Sequence, residues 1–269
     1  MRKILLSLAV AFGMQAGAQT IDTILHIHKT DSTVLNISVT DIDSLTFSYD
    51  TLGACNGLTS LTYNGYTYDL VEIGGQCWFK ENLQTTTYRD GTPINYPGTD
   101  NTAWSNDTTG AYAWYDNDST TYDSIYGKLY NWYAVENPAR LCPTGWHVPT
   151  DSEWSQLVIY LDPAADTACS VCNQSSIAGI MMKDTGTIYW TNPNFGATNI
   201  SGFSGLPGGY RQDGGLYANV GSKGNWWSSS SYQHNTNNAM CRNLSSNNGT
   251  IQRFFIHKRN GYSIRCLRD

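Results

Sequence analysis

The chain has 269 residues, 14% charged, 13% aromatic and a formal net charge of -6. That many aromatics on so few charges excludes a disordered chain, which needs the opposite balance. The acidic balance, with scattered basic residues, excludes a phosphate-tracking surface, so neither nucleic acid nor an anionic membrane surface is an expected partner.

The first element is an export signal. Arg2 and Lys3 precede an apolar run from Ile4 to Met14, and Ala16-Gly17-Ala18 follows with small residues where a signal peptidase reads. The run is shorter than the roughly 20 residues a membrane span needs, and no later run reaches that length, so no transmembrane segment is expected. Residues 1–18 are therefore read as a cleaved signal peptide. The mature protein is expected outside the cytoplasm: extracellular, on the cell surface or in the periplasm.

Residues 19–50 form an N-terminal β-hairpin segment. Ile24, His26 and His28 alternate with Leu25 and Ile27, a turn falls at Thr30-Asp31-Ser32, and Val34, Asn36 and Ser38 alternate again. A last short strand is expected at Leu45–Phe47. Residues 51–54 read as a linker, and a second domain occupies 55–269.

In that domain Tyr66–Ile73 alternates as a strand, Gly74-Gly75 turns it, and Cys77–Phe79 pairs back. Residues 84–123 are a long polar stretch rich in Thr, Asn, Asp, Tyr and Trp. The spacing of Ile125, Leu129, Trp132 and Tyr133 predicts a helix over 124–136. A second helix starts at Thr150. Thr150 as N-cap with Glu153 three residues on is a capping box, and Trp154, Leu157, Val158 and Leu161 then share one face. Glycine-rich turns follow. Two final strands, Ile251–Ile256 and Tyr262–Leu267, are expected to form a hairpin around Asn260-Gly261.

Seven cysteines in an exported chain read as disulfides with at least one thiol left over, and the connectivity stays open. Zinc at Cys169-x-x-Cys172 would need a second ligand pair at suitable spacing, and none is present. Asp116, Asn117, Asp118 and Asp123 crowd oxygen ligands into eight residues, a candidate calcium site, although Asp and Asn also favour plain turns. Trp104, Trp114, Tyr115 and Tyr210 are the candidate ligand-binding aromatics, because pyranose C–H faces pack on such rings. Trp78, Trp132, Trp146, Trp154 and Trp226 are assigned to the core. His147, beside Trp146, is read as a satisfied structural histidine. Neither a Gly-x-Ser-x-Gly elbow nor a His-Glu-x-x-His motif is present. Asp-Ser/Thr-apolar triplets at Asp22-Thr23-Ile24, Asp43-Ser44-Leu45, Asp123-Ser124-Ile125 and Asp166-Thr167-Ala168 resemble O-glycan acceptors of Bacteroidota exported proteins.

A wider resemblance rests on six motifs: residues 75–83 (Gly-Gln-Cys-Trp-Phe-Lys-Glu-Asn-Leu), 126–135 (Tyr-Gly-Lys-Leu-Tyr-Asn-Trp-Tyr-Ala-Val), 142–150 (Cys-Pro-Thr-Gly-Trp-His-Val-Pro-Thr), 206–211 (Leu-Pro-Gly-Gly-Tyr-Arg), 226–229 (Trp-Trp-Ser-Ser) and 262–269 (Tyr-Ser-Ile-Arg-Cys-Leu-Arg-Asp). In this order they resemble the Fibrobacter succinogenes major paralogous domain family over about 55–269. A more distant similarity to formylglycine-generating-enzyme-like domains implies an α+β, C-type-lectin-like fold, with two helices flanking small antiparallel sheets and long loops. That fold ties the helix to the last strand, which implies Cys142–Cys266. With that resemblance Cys55–Cys77 is expected across the first hairpin and Cys169–Cys172 locally, with Cys241 left free.

The expected function is a secreted or surface non-catalytic module for glycan or another surface macromolecule. One alternative is a structural or adhesive protein acting through protein contacts, with the N-terminal hairpin as docking element. The other is a formylglycine-generating-enzyme-like enzyme.

Overall fold

The computed structural model describes residues 24–28, 33–38 and 53–269. The signal-peptide assignment, the turn at 30–32, the strand at 45–47 and the first half of the linker lie outside those residues. The chain divides into two compact units, Met1–Thr51 and Leu52–Asp269. In the first, β1 (Ile24–His28) pairs antiparallel with β2 (Val34–Ser38), Ile24 opposite Ser38.

The second unit opens with β3 (Ser60–Tyr63), β4 (Tyr66–Ile73) and β5 (Gln76–Phe79). The β4–β5 turn needs positive φ at both central residues, and Gly74 (φ 60°) and Gly75 (φ 76°) supply it. Next come α1 (Asn101–Asn106), β6 (Tyr112–Ala113), a 3-10 turn at Tyr115–Asn117, α2 (Ser119–Tyr126), β7 (Leu129–Tyr130), α3 (Trp132–Glu136), β8 (Trp146–His147) and α4 (Asp151–Leu161). The last part holds β9 (Cys172–Ser175), α5 (Ala178–Met182), β10 (Gly208–Arg211), β11 (Tyr217–Val220), β12 (Lys223–Ser231), β13 (Asn238–Ser245), β14 (Ile251–His257) and β15 (Leu267–Arg268).

The strand ladders are antiparallel. A five-stranded sheet runs β3-β4-β5-β15-β8 and a four-stranded one runs β12-β13-β14-β9. The pairs β6-β7 and β10-β11 complete the set. This is a mixed α/β fold of mostly antiparallel sheets with few, short helices.

The α4 start agrees with the sequence reading. Thr150 Oγ1 accepts from the Glu153 amide, and Glu153 accepts from the Thr150 amide at 2.7 Å. Trp154, Leu157 and Val158 turn inward and are fully buried with Trp78, Phe203 and Trp226. Burying a side chain of the Leu157 or Val158 kind contributes roughly 1.5–3 kcal/mol. The five tryptophans assigned to the core are all buried.

Disulfides join Cys55 to Cys77, Cys142 to Cys266 and Cys169 to Cys172, and Cys241 is a buried free thiol. The Cys142–Cys266 bond anchors β15 where Leu267 pairs with Trp78 on one side and His147 on the other. Buried cations under aromatic rings brace the irregular segments. Lys128 lies over Tyr66, Tyr112 and Trp114; Arg211 over Trp104; Lys258 over Trp132; Arg265 over Phe203.

Two expectations need correction. The helix over 124–136 is broken into α2, β7 and α3. Gly127 takes φ 67° and ψ -153°, which ends α2, and the Lys128 amide then bonds Leu83 O, steering Leu129 and Tyr130 into pairing with β6. The two final strands are not partners. β14 pairs with β13 and β9, and β15 with β5 and β8. Neither Asn260 nor Gly261 has positive φ, so the tight turn that would fold the strands together is absent.

Candidate functional site

The polar stretch from 84 to 123 and the turn between β10 and β11 enclose one cleft. Asp100 caps α1, with Oδ1 accepting from the Ala103 amide, and this turns Trp104 inward. Arg211 of β10 is fully buried, with its guanidinium 4.4 Å from the Trp104 ring centroid and 5.0 Å from that of Tyr217. It donates from Nε to Gly215 O at 3.0 Å and from Nη2 to Asn101 Oδ1 at 3.1 Å. A Cβ on Gly215 would lie 2.3 Å from Asn101 Oδ1, so only glycine lets this contact form. Arg211 Nη1 is buried without a hydrogen-bond partner. Burial pulls the Arg211 pKa below its ordinary value.

Across the cleft stand Asp116 and Asn117, consecutive non-glycine residues at φ 52° and 56°. The left-handed region is costly for most side chains and best tolerated by Asn and Asp. Such strain collects at ligand sites. Asn117 Oδ1 accepts from Tyr217 OH at 2.9 Å and from Tyr96 OH at 3.4 Å. Burial pushes the Tyr217 phenol up to about 12, so at neutral pH it keeps its proton and is able to donate.

Arginine has only donors, so the Asn101 carboxamide must turn its oxygen toward Arg211. The Asn117 oxygen likewise faces the Tyr217 and Tyr96 hydroxyls, which, unlike a guanidinium, can also accept. Both Nδ2 groups, and the Asp116 carboxylate, have no partner among the described residues. Thr99, Asn101, Asp116, Asn117, Gly215, Leu216 and Tyr217 line a wide-mouthed space of ≈ 520 Å³. It offers two NH₂ donors, one carboxylate acceptor and the Thr99 hydroxyl. Beside them are the Tyr217 ring and Leu216, which is 62% exposed.

The four candidate aromatics do not line this cleft. Trp104 and Tyr115 are corrections, for both are buried: Trp104 donates from Nε1 to Gln212 O, and Tyr115 packs on Tyr122 and Tyr217. Trp114 is half-buried, edge-on to Tyr96 and Tyr112. Tyr210 is half-buried against Tyr262. Asn101, Gly215, Leu216 and Tyr217 were not singled out as site residues. The available signal was an apolar Leu216 set at a Gly-Gly turn, where nothing in the local pattern buries it.

The four candidate calcium ligands do not converge. Asp118 Oδ1 caps α2 through the Thr121 amide, and Asp123 pairs with Lys128 at 2.9 Å. Asn117 oxygen is held by the tyrosines, and Asp116 alone is free. Among the described residues, the three metal-ligand-type side chains that do meet are Asp166, Cys169 and Cys172, and both cysteines are in a disulfide.

His147 is held on both ring nitrogens, Nδ1 at 2.6 Å from Asp269 Oδ1 and Nε2 at 3.0 Å from the Glu153 carboxylate. Cys241 Sγ contacts Phe254 O, and burial pushes its thiol well above the ordinary range. Of the glycan-acceptor triplets, Ser124 and Thr167 are exposed, while the triplets at 22–24 and 43–45 fall wholly or partly outside the described residues. No helix among the described residues is long and apolar enough to cross a membrane.

No curated protein matches the chain, and no solved structure does. The family model for the Fibrobacter succinogenes major domain matches residues 71–268, and this span takes in the cleft, α4, the four-stranded sheet and, of the five-stranded sheet, β5, β8, β15 and the end of β4. On that match, over well more than half its length, the chain belongs to the Fibrobacter succinogenes major domain family.

Proposed function

We propose that this protein is an exported, non-catalytic binding module that holds a glycan in the cleft between Asn101, Asp116, Asn117 and Tyr217. The observation that carries the reading is the pair of carboxamides whose oxygens are engaged by Arg211 and the tyrosines, beside a free carboxylate. A sugar hydroxyl both donates and accepts. NH₂ groups of Asn101 and Asn117 donate to it, and Asp116 accepts its proton. Tyr217 and Leu216 supply apolar surface for the pyranose C–H face.

The signal-like first 18 residues and three disulfides support export. The α+β architecture, with long loops and a Cys142–Cys266 tie at the last strand, supports a C-type-lectin-like fold. The saturated His147 and the buried Cys241 support a module without catalysis.

The test is binding of residues 19–269 to an array of plant, host and bacterial glycans, in calcium and in chelator. Saturable binding that falls at least about tenfold in Asn117→Ala, a loss of one good polar contact, is the expected result. No binding under either condition would sink the reading. A second reading, adhesion through protein contacts, draws on the exposed Ile188, Phe195 and Ile200 in one loop segment, at 88%, 53% and 78% exposure. Crosslinking that captures a partner through that segment, with an unreactive glycan array, would favour it.

A further inference from the structure

We infer that the cleft selects uncharged sugar units and rejects units carrying a carboxylate or sulfate, with Asp116 setting the choice. This rests on the glycan reading of the same cleft. Asp116 is the charged side chain among those lining it, is exposed, and makes no hydrogen bond or ion pair among the described residues. Arg211, the cation bonded to Asn101 behind the cleft wall, is fully buried: its Nε and Nη2 are committed to Gly215 O and Asn101 Oδ1, and its Nη1, though unpartnered, is itself buried away from solvent. The other charged groups around the cleft have the same sign as Asp116. Asp100 caps α1, Asp118 caps α2, and Asp213 is exposed two residues before Gly215.

The consequence follows from donor and acceptor roles. A neutral sugar hydroxyl gives Asp116 the proton it needs. A uronate carboxylate or a sulfate has none to give, and it adds a like charge at contact range. Two like charges a few ångströms apart near a wet surface repel by enough to lower affinity about tenfold. The two NH₂ groups still donate to the anion, but they are neutral and do not offset that repulsion in full.

The experiment uses residues 19–269 and matched probes: gluco-, galacto- and manno-oligosaccharides beside the same oligosaccharides oxidised at C6 to uronates. The wild type is expected to bind a neutral probe at least about tenfold more tightly than its uronate partner, the gap shrinking with added salt. Asp116→Asn keeps the size and removes the charge, and the gap is expected to close to within about twofold. Equal or tighter binding of the uronates by wild type, or an unchanged gap in Asp116→Asn, overturns this inference and leaves the glycan reading standing. Binding of neither member of any pair defeats both.

Discussion

Arg211 Nη2 donates to Asn101 Oδ1 at 3.1 Å, joining residues 110 apart in the chain. That contact decides which end of the Asn101 carboxamide the cleft sees. Asn101→Asp keeps the acceptor for Arg211 and adds a charge-assisted bond, but it replaces the NH₂ donor with a carboxylate oxygen. Thermal unfolding of the variant is expected at the wild-type temperature or above, while neutral-glycan affinity falls at least about tenfold. A variant that binds as wild type would show that Asn101 plays no part in recognition.

Thr150 and Glu153 cap α4 reciprocally, so Thr150→Ala is expected to cost about 1 kcal/mol, read as a shift of the urea midpoint at constant slope. Burial pulls the Glu153 carboxyl upward, but hydrogen bonds from the Thr150 amide and hydroxyl and from His147 outweigh it and hold it below its usual 4.5. A depressed carboxyl stabilises the fold above its unfolded value, and that contribution is lost as pH falls through the folded one. The Thr150→Ala penalty is therefore expected in full at pH 7 and to shrink as pH falls below 4.5 and through the lower folded value.

Asp151 receives Arg242 at 2.6 Å and Arg253 on its other oxygen. Arg242 is fully buried. Asp151→Asn would leave that guanidinium without its counter-charge, at an expected cost of about 3–5 kcal/mol. Denaturant unfolding of the variant at pH 7 measures it, and a loss below about 1 kcal/mol would contradict a buried, uncompensated charge.

Cys142 and Cys266 are 124 residues apart. Replacing both with alanine frees a loop of that length in the unfolded chain. The expected loss is about 4–5 kcal/mol on a chain-entropy account. Guanidinium unfolding of the double variant against wild type checks it.

The α4 cap, the β4–β5 hairpin and the tryptophan core were legible because each is written within a few residues. Thr150 with Glu153, Gly74 with Gly75, and the helical spacing of Trp154, Leu157 and Val158 act locally. The cleft was not legible, because it depends on Arg211 meeting Asn101 and on Tyr217 meeting Asn117, contacts across about a hundred residues. Trp104 and Tyr115 looked exposed because the stretch around them has no periodicity from which burial can be read. Asp116 to Asp123 looked like a cation site because a helix cap and an ion pair with Lys128 leave no mark in the local sequence. Asn260-Gly261 has hairpin letters, yet the chain there bonds to Arg211 instead, with Gly261 exchanging both backbone hydrogen bonds with it.

The cations seated under aromatic rings separate the frame of this domain from its fingertips. Arg211 on Trp104 and Lys128 among Tyr66, Tyr112 and Trp114 fix the backbone of the loops from beneath. Thr99, Asp116 and Leu216 sit on top, exposed to solvent. A library randomised at Thr99 and Leu216, with position 116 limited to Asp, Asn and Gly because its backbone is left-handed, would change the chemistry on offer while the struts stay in place, which makes the domain a scaffold for selecting new binding specificities.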